Sequence, residues 1–174
     1  QAGPGRFVVS DGVATGEGGP GLWWYSGRMF TNFMLRGEFV QEQADADSGV
    51  YVRFRDPGTD PAVAQKGLEM EIGDAQAAEP TLRTGSIRGI AAPSGANTKP
   101  AGQWNTWEVI CHGHSYAVRI NGEMVTRWID PQRRVAGGYI GLQTPADRKT
   151  VRFRNLRIKP LSNPQMPPMG GGKK

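Results

Sequence analysis

With one cysteine, two histidines and no long apolar run, this 174-residue chain is barred from several function classes. The lone Cys111 can form neither an internal disulfide nor a multi-thiolate metal site, although it leaves the compartment open. No uninterrupted apolar stretch approaches the roughly 20 residues that span a bilayer, so membrane insertion is not expected. The opening QAGPGR has no hydrophobic signal core, and any export signal is expected to have been removed or to lie outside this sequence. Charge of one sign is also scarce. The net charge is only +5, and Lys173 and Lys174 supply part of it, so a nucleic-acid partner is not expected.

Helical periodicity is missing too: nowhere do apolar residues recur at helical spacing over three turns. What recurs instead is alternation. Residues 32–40 set Phe33, Leu35 and Phe39 against Arg36 and Glu38. Residues 49–55 set Val50, Val52 and Phe54 against Tyr51, Arg53 and Arg55, and residues 68–72 set Leu68, Met70 and Ile72 against Glu69 and Glu71. A period of two marks a strand with one face on a core. Asp11-Gly12 and Asn121-Gly122 each supply the positive φ angles of a tight hairpin, joining 7–9 to 13–15 and 116–120 to 124–129. Further strands are expected at 22–25, 107–111, 139–143 and 151–158. The apolar phase slips between Phe153 and Leu156, which predicts a bulge near Asn155. Ten to twelve short strands, with 25 glycines and 13 prolines to turn them, imply an all-β sandwich of two antiparallel sheets.

Residues 56–66 and 91–102, rich in Pro, Gly and small side chains, read as long loops able to shape a binding rim. One domain is expected over residues 1–161. Residues 162–174 read as a flexible Pro/Met/Gly tail of the kind that links modules in a multidomain protein.

Several motifs carry less than they promise. Residues 16–21 match G-x-G-x-x-G, but Pro20 removes a backbone donor and a strand, not a helix, follows, so a turn is expected. His112-Gly113-His114 falls at a turn with no third histidine to complete a metal site. Arg152, Arg154, Arg157 and Lys159 read as a solvated face without the interleaved aromatics of an RNA-binding sheet. Glu69 and Glu71 are different. Two residues apart on a strand, they point the same way with Cα atoms about 6–7 Å apart, as an acid/base pair requires. Tyr51 and Arg53 on one neighbouring segment, and Ser86 and Arg88 on another, are expected on the same face. Arginine beside a carboxylate holds it ionised and offers planar donors to sugar hydroxyls. Trp24 or Trp104 could supply a flat platform for a pyranose ring.

The sequence Asn32-Phe33-Met34-Leu35-Arg36-Gly37-Glu38-Phe39, with Ser48-Gly49-Val50-Tyr51-Val52-Arg53 and Gly67-Leu68-Glu69-Met70-Glu71-Ile72, resembles the 3-keto-disaccharide hydrolase family, also called 3-keto-glycoside lyase/hydratase or domain of unknown function 1080. The likeness runs through Gly85-Ser86-Ile87-Arg88-Gly89, the 99–105 segment KPAGQWN and Gly138-Tyr139-Ile140-Gly141-Leu142-Gln143 to the closing strand, over roughly residues 7–160. It implies a concanavalin A-like jelly roll, a secreted, periplasmic or cell-surface location, and a mono- or oligosaccharide or glycoside ligand oxidised at C3. By the same resemblance Glu69 is the first candidate for base or ligand work, with Arg53 polarising the ketone and Gln143 and Asn105 at the cleft edge. Room is left for a divalent metal. This chain departs from the family in having Glu71 in place of a glutamine, Arg88 in place of an aromatic, and Thr144-Pro145 where many members place a histidine after the Leu-Gln pair. A non-catalytic carbohydrate-binding module is therefore the alternative.

Overall fold

The structure, a computed structural model, describes residues 1–74, 78–95, 97–144 and 149–162. Among them are eleven strands: β1 (Arg6–Ser10), β2 (Val13–Glu17), β3 (Gly21–Trp24), β4 (Phe33–Gln41), β5 (Ser48–Phe54), β6 (Leu68–Ile72), β7 (Asn105–His112), β8 (Ser115–Ile120), β9 (Glu123–Ile129), β10 (Tyr139–Thr144) and β11 (Val151–Pro160). They form a seven-stranded sheet in the order β1-β2-β11-β4-β7-β8-β9 and a four-stranded sheet in the order β3-β10-β5-β6, with antiparallel pairing throughout. This is a jelly-roll sandwich, as the alternation predicts. The 56–66 loop departs from that reading in part, because Pro61–Lys66 winds into a short 3-10 helix capped by the Asp60 side chain. The expected tail, beyond Ser162, lies outside the described residues. None of the described helices is long and apolar enough to cross a membrane.

The turn chemistry falls where Asp-Gly and Asn-Gly place it. Asp11 and Gly12 have φ of 51° and 76°, and Asn121 and Gly122 have 51° and 86°. The β11 bulge is present as well: pairing with β4 shifts register between Arg154 and Arg157, and Asn155 sits at φ 55°.

Between the sheets, Phe33, Phe39 and Trp107 of the larger sheet pack with Val50, Val52, Met70 and Ile72 of the smaller one. Each such side chain contributes roughly 1.5–3 kcal/mol by leaving water. Cys111 lies wholly buried among them on β7, and burial pushes its thiol up to about 12. A second, smaller cluster of Ala2, Leu22, Tyr51, Phe54 and Ala64 forms on the other face of the four-stranded sheet. There the 3-10 helix and the amino terminus cover the strands.

That second cluster exposes a break in the expected alternation of β5. Arg53 has φ 58°, and the β5–β10 register shifts at this point. An extra residue in a strand reverses the facing of everything after it. Phe54 therefore joins Tyr51 on the outer face rather than Val50 and Val52 inside, and Arg53 turns inward.

Candidate carboxylate site on the smaller sheet

The outer face of the four-stranded sheet is built from cross-strand rows. Tyr51 of β5 pairs with Glu69 of β6, and Gly49 pairs with Glu71. Gly141 of β10 stands opposite both Tyr51 and Trp24 of β3. Beyond β6, the 84–88 segment adds a ragged edge: Glu71 N–H donates to the Ser86 carbonyl, and Arg88 N–H to the Glu69 carbonyl. This edge delivers the Arg88 guanidinium to both acids. Its Nη1 is ion-paired with Glu71, and its Nε lies 3.7 Å from Glu69 Oε2. Gln143 Nε2 completes the group, donating to the Tyr51 hydroxyl at 3.4 Å.

The acids are far less exposed than a solvated sheet face would leave them: Glu69 is 7% exposed and Glu71 not at all. Burial disfavours the charged form of a carboxyl. It lifts Glu69 to about 7, against the opposing pull of Arg88 and Tyr51, with Asp47 adding to the rise. Glu71 rises to about 9 through burial and the neighbouring charges of Glu69 and Asp47, which Arg88 only partly offsets. Burial and the charge of Glu69 hold the Tyr51 phenol protonated far above the usual range. Glu69 Oε1 and Glu71 Oε1 are both buried without a hydrogen-bond partner, as is Gln143 Oε1. Burial thus makes both carboxyls easier to protonate than they are in water, while Arg88 opposes the rise at each.

Gly49 makes room for this arrangement. A Cβ there would fall on Glu69 Oε1 and come within 2.9 Å of its Cδ. Gly49→Ala is expected to cost no more than about 1–3 kcal/mol as overpacking. It should also push the Glu69 carboxylate off its seat, returning its pKa toward the ordinary carboxylate range. Carboxylate titration followed by NMR would show that fall; an unchanged Glu69 pKa would disprove the steric account.

A second expected result follows from the raised values. Both acids keep their protons in the folded state at pH values where the unfolded chain has lost them. Their contribution to stability is complete below about 4.5 and fades as pH climbs through about 7 and about 9. The slope is at most about 1.4 kcal/mol per pH unit for each group. Glu71→Gln, neutral and of the same shape, should flatten the alkaline part of that decline in urea titrations run from pH 5 to 9.

Not every residue that sequence reasoning gathered arrives here. Arg53 does not. From its inward position Nε donates to the Thr31 carbonyl (3.0 Å), and Nη1 reaches the Gly113 carbonyl (2.7 Å), the Tyr116 hydroxyl (2.6 Å) and the Val135 carbonyl (3.2 Å). It is a cross-tie between loops and sheets, 1% exposed, and cannot meet a ligand at Glu69. Asn105 begins β7 of the other sheet, and Trp104 directly precedes it. Arg154 covers the Trp104 ring at 3.9 Å, and Asn105 is spent clipping Lys99 N–H, the Asn121 amide and the Gln103 carbonyl. Ser86 is buried, its hydroxyl donating to the Thr81 carbonyl. Trp24 shares the face and the row of Glu69, but three strand spacings away, about 14 Å. Asp47 was missed. Its place two residues before Gly49 and four before Tyr51 is the signal that puts it on this face.

No three His, Cys, Asp or Glu side chains among the described residues are arranged to hold a metal ion. The Arg88 guanidinium stands where a cation would otherwise bridge Glu69 and Glu71. His112 Nε2 lies 3.1 Å from the Ser162 carbonyl, at the β7–β8 turn.

The family model for 3-keto-alpha-glucoside-1,2-lyase-like domains matches residues 1–159. The chain belongs to this family. The 3-keto-alpha-glucoside-1,2-lyase-like assignment agrees with the likeness of the Glu69 and Gln143 segments described above. No curated protein matches the sequence. Among solved structures, a candidate glycosyl hydrolase from Parabacteroides distasonis ATCC 8503 superposes with a TM-score of 0.77 at 23% identity, covering 89% of this chain and 90% of that one. The carbohydrate-binding module CBM66 from Bacillus subtilis gives a TM-score of 0.65 at 12% identity, covering 89% and 91%. A Bacillus subtilis protein of unknown function with a galectin-like fold gives 0.62 at 11% identity, covering 90% and 86%. At these identities the likeness concerns the fold.

Proposed function

We propose that this domain cleaves 3-keto-glycosides by elimination followed by hydration, with Glu69 as the base. The observation that carries this reading is the Glu69 carboxyl lifted to about 7 beside Arg88 and the Tyr51 hydroxyl. A ketone at C3 acidifies the C2 proton. Removal of that proton by Glu69 forms the enolate, and expulsion of the C1 oxygen breaks the glycosidic bond and leaves a 1,2-unsaturated 3-keto sugar. Water then adds its hydroxyl at C1 and a proton at C2, so the net change is hydrolysis. A base works best with a pKa near the operating pH. The Arg88 cation is suited to match the enolate charge, and the proton taken up by Glu69 is available to the departing oxygen. Family membership favours the same chemistry. Incubation of the purified protein with a chromogenic 3-keto-glucoside tests it. Aglycone release should saturate with substrate, and its absence, with and without added divalent cation, would end the proposal.

A binding-only reading rests on a different surface. The outer face of the larger sheet holds a hollow of about 550 Å³ lined by Arg36, Glu38, Glu108, Arg119 and Asn155, planar polar groups of the kind that grip sugar hydroxyls. It predicts glycan binding that survives Glu69→Gln and is weakened by Arg119→Ala.

A further inference from the structure

The largest hollow described shares Trp107 and Arg157 with the one on the larger sheet but includes none of the carboxylate residues. It is a cavity of about 810 Å³ at the mouth between the two sheets, where β3 and the chain after it stand over β4 and β11. Its size falls within the roughly 300–1,000 Å³ of small-molecule sites. Trp23, Tyr25, Phe30, Trp107, Leu142 and Ile158 are among the residues that line it, so aromatic rings and aliphatic side chains share the walls. Leu156 from the β11 bulge, 39% exposed, and Tyr25, 55% exposed, also line it. Two features give the space a chemical sign. The indole N–H of Trp107 is buried without a hydrogen-bond partner. At the rim, the guanidinium of Arg28 lies over the Phe30 ring at 4.6 Å, and neither Arg28 nor Arg157 forms an ion pair among the described residues.

We infer that this cavity is a binding site for a small aromatic carboxylic acid. The ring system would stack among Trp23, Tyr25 and Phe30, where aromatic faces and edges pair favourably. The carboxylate would meet Arg28 and Arg157, whose planar donors match its two oxygens. None of Glu69, Glu71, Tyr51 and Arg88 lines this cavity, although Trp24 and Gly141 at the far end of their row do. Glu69 and its neighbours occupy the outer face of the smaller sheet, while the cavity opens between the sheets. The glycoside reading therefore stands or falls independently.

The probe is 2-naphthoate, titrated into the protein with tryptophan emission and calorimetry as readouts. 2-Naphthalenemethanol serves as the uncharged control. Saturable one-to-one binding of 2-naphthoate is expected, at least tenfold tighter than the alcohol. Arg28→Gln combined with Arg157→Gln should remove that preference while leaving the fold intact, since both side chains are exposed. A bulkier Leu142→Phe variant should abolish binding of both compounds. No saturable binding at millimolar 2-naphthoate, equal affinity for acid and alcohol, or an acid preference that survives the double substitution would each overturn the inference.

Discussion

Arg53→Met is expected to lower the thermal midpoint by about 6 °C or more. The buried side chain satisfies three part-buried backbone carbonyls and the buried Tyr116 hydroxyl. Methionine fills much of the same volume but donates nothing, and each buried acceptor left without a partner costs about 1–3 kcal/mol. A loss of at least about 3 kcal/mol converts to the stated shift at about 2–4 °C per kcal/mol for a domain of this size. Arg53→Lys should recover only part of the loss. A lysine ammonium is a compact point charge and lacks the planar fork that reaches Thr31 on one side and Gly113 and Val135 on the other. Differential scanning calorimetry decides the matter. A midpoint within about 2 °C of the parent protein would show that the cross-tie contributes little.

Glu69→Gln is expected to reduce turnover of a 3-keto-glucoside by about 10²–10⁴-fold, the range that a positioned general base supplies. The fold should survive, because glutamine has nearly the shape of the protonated acid that burial already favours. Above pH 7 the variant should be no less stable than the parent, since it buries no charge. The parent's kcat/KM should rise with pH through about 7 as Glu69 loses its proton. That ascending limb is the signature a merely structural glutamate would not leave. Unchanged turnover in Glu69→Gln would move the base elsewhere or leave the binding-only reading.

The sandwich itself was legible because its signals are local. Hairpin turns announced themselves through Asp-Gly and Asn-Gly, and strand faces through alternation, which failed at the end of β5. The β11 bulge was legible for the same reason, since a phase slip is visible in the order of residues. Arg53 was not. Nothing in Val52-Arg53-Phe54 betrays a left-handed φ at an arginine, and one flipped residue moved a predicted site member into the core and a predicted core phenylalanine out of it. The pairing of Arg88 with Glu69 and Glu71 was anticipated from shared facing. The depth of the pair was not, because that depends on the 84–88 segment returning to the β6 edge. Trp104 and Asn105 failed for the opposite reason: their residue types suit a sugar, but Arg154 and Asn121 had already claimed them.

Cys111 offers a last consequence. Its sulfur is sealed within the larger sheet and its proton is held to about pH 12, so the nucleophilic thiolate is all but absent while the sandwich stays shut. Folded molecules should consequently ignore iodoacetamide and should not cross-link into dimers in air. In partial denaturant, alkylation at this single atom would count the molecules in which β7 has come away from its neighbours, making the sulfur a built-in reporter of sheet opening.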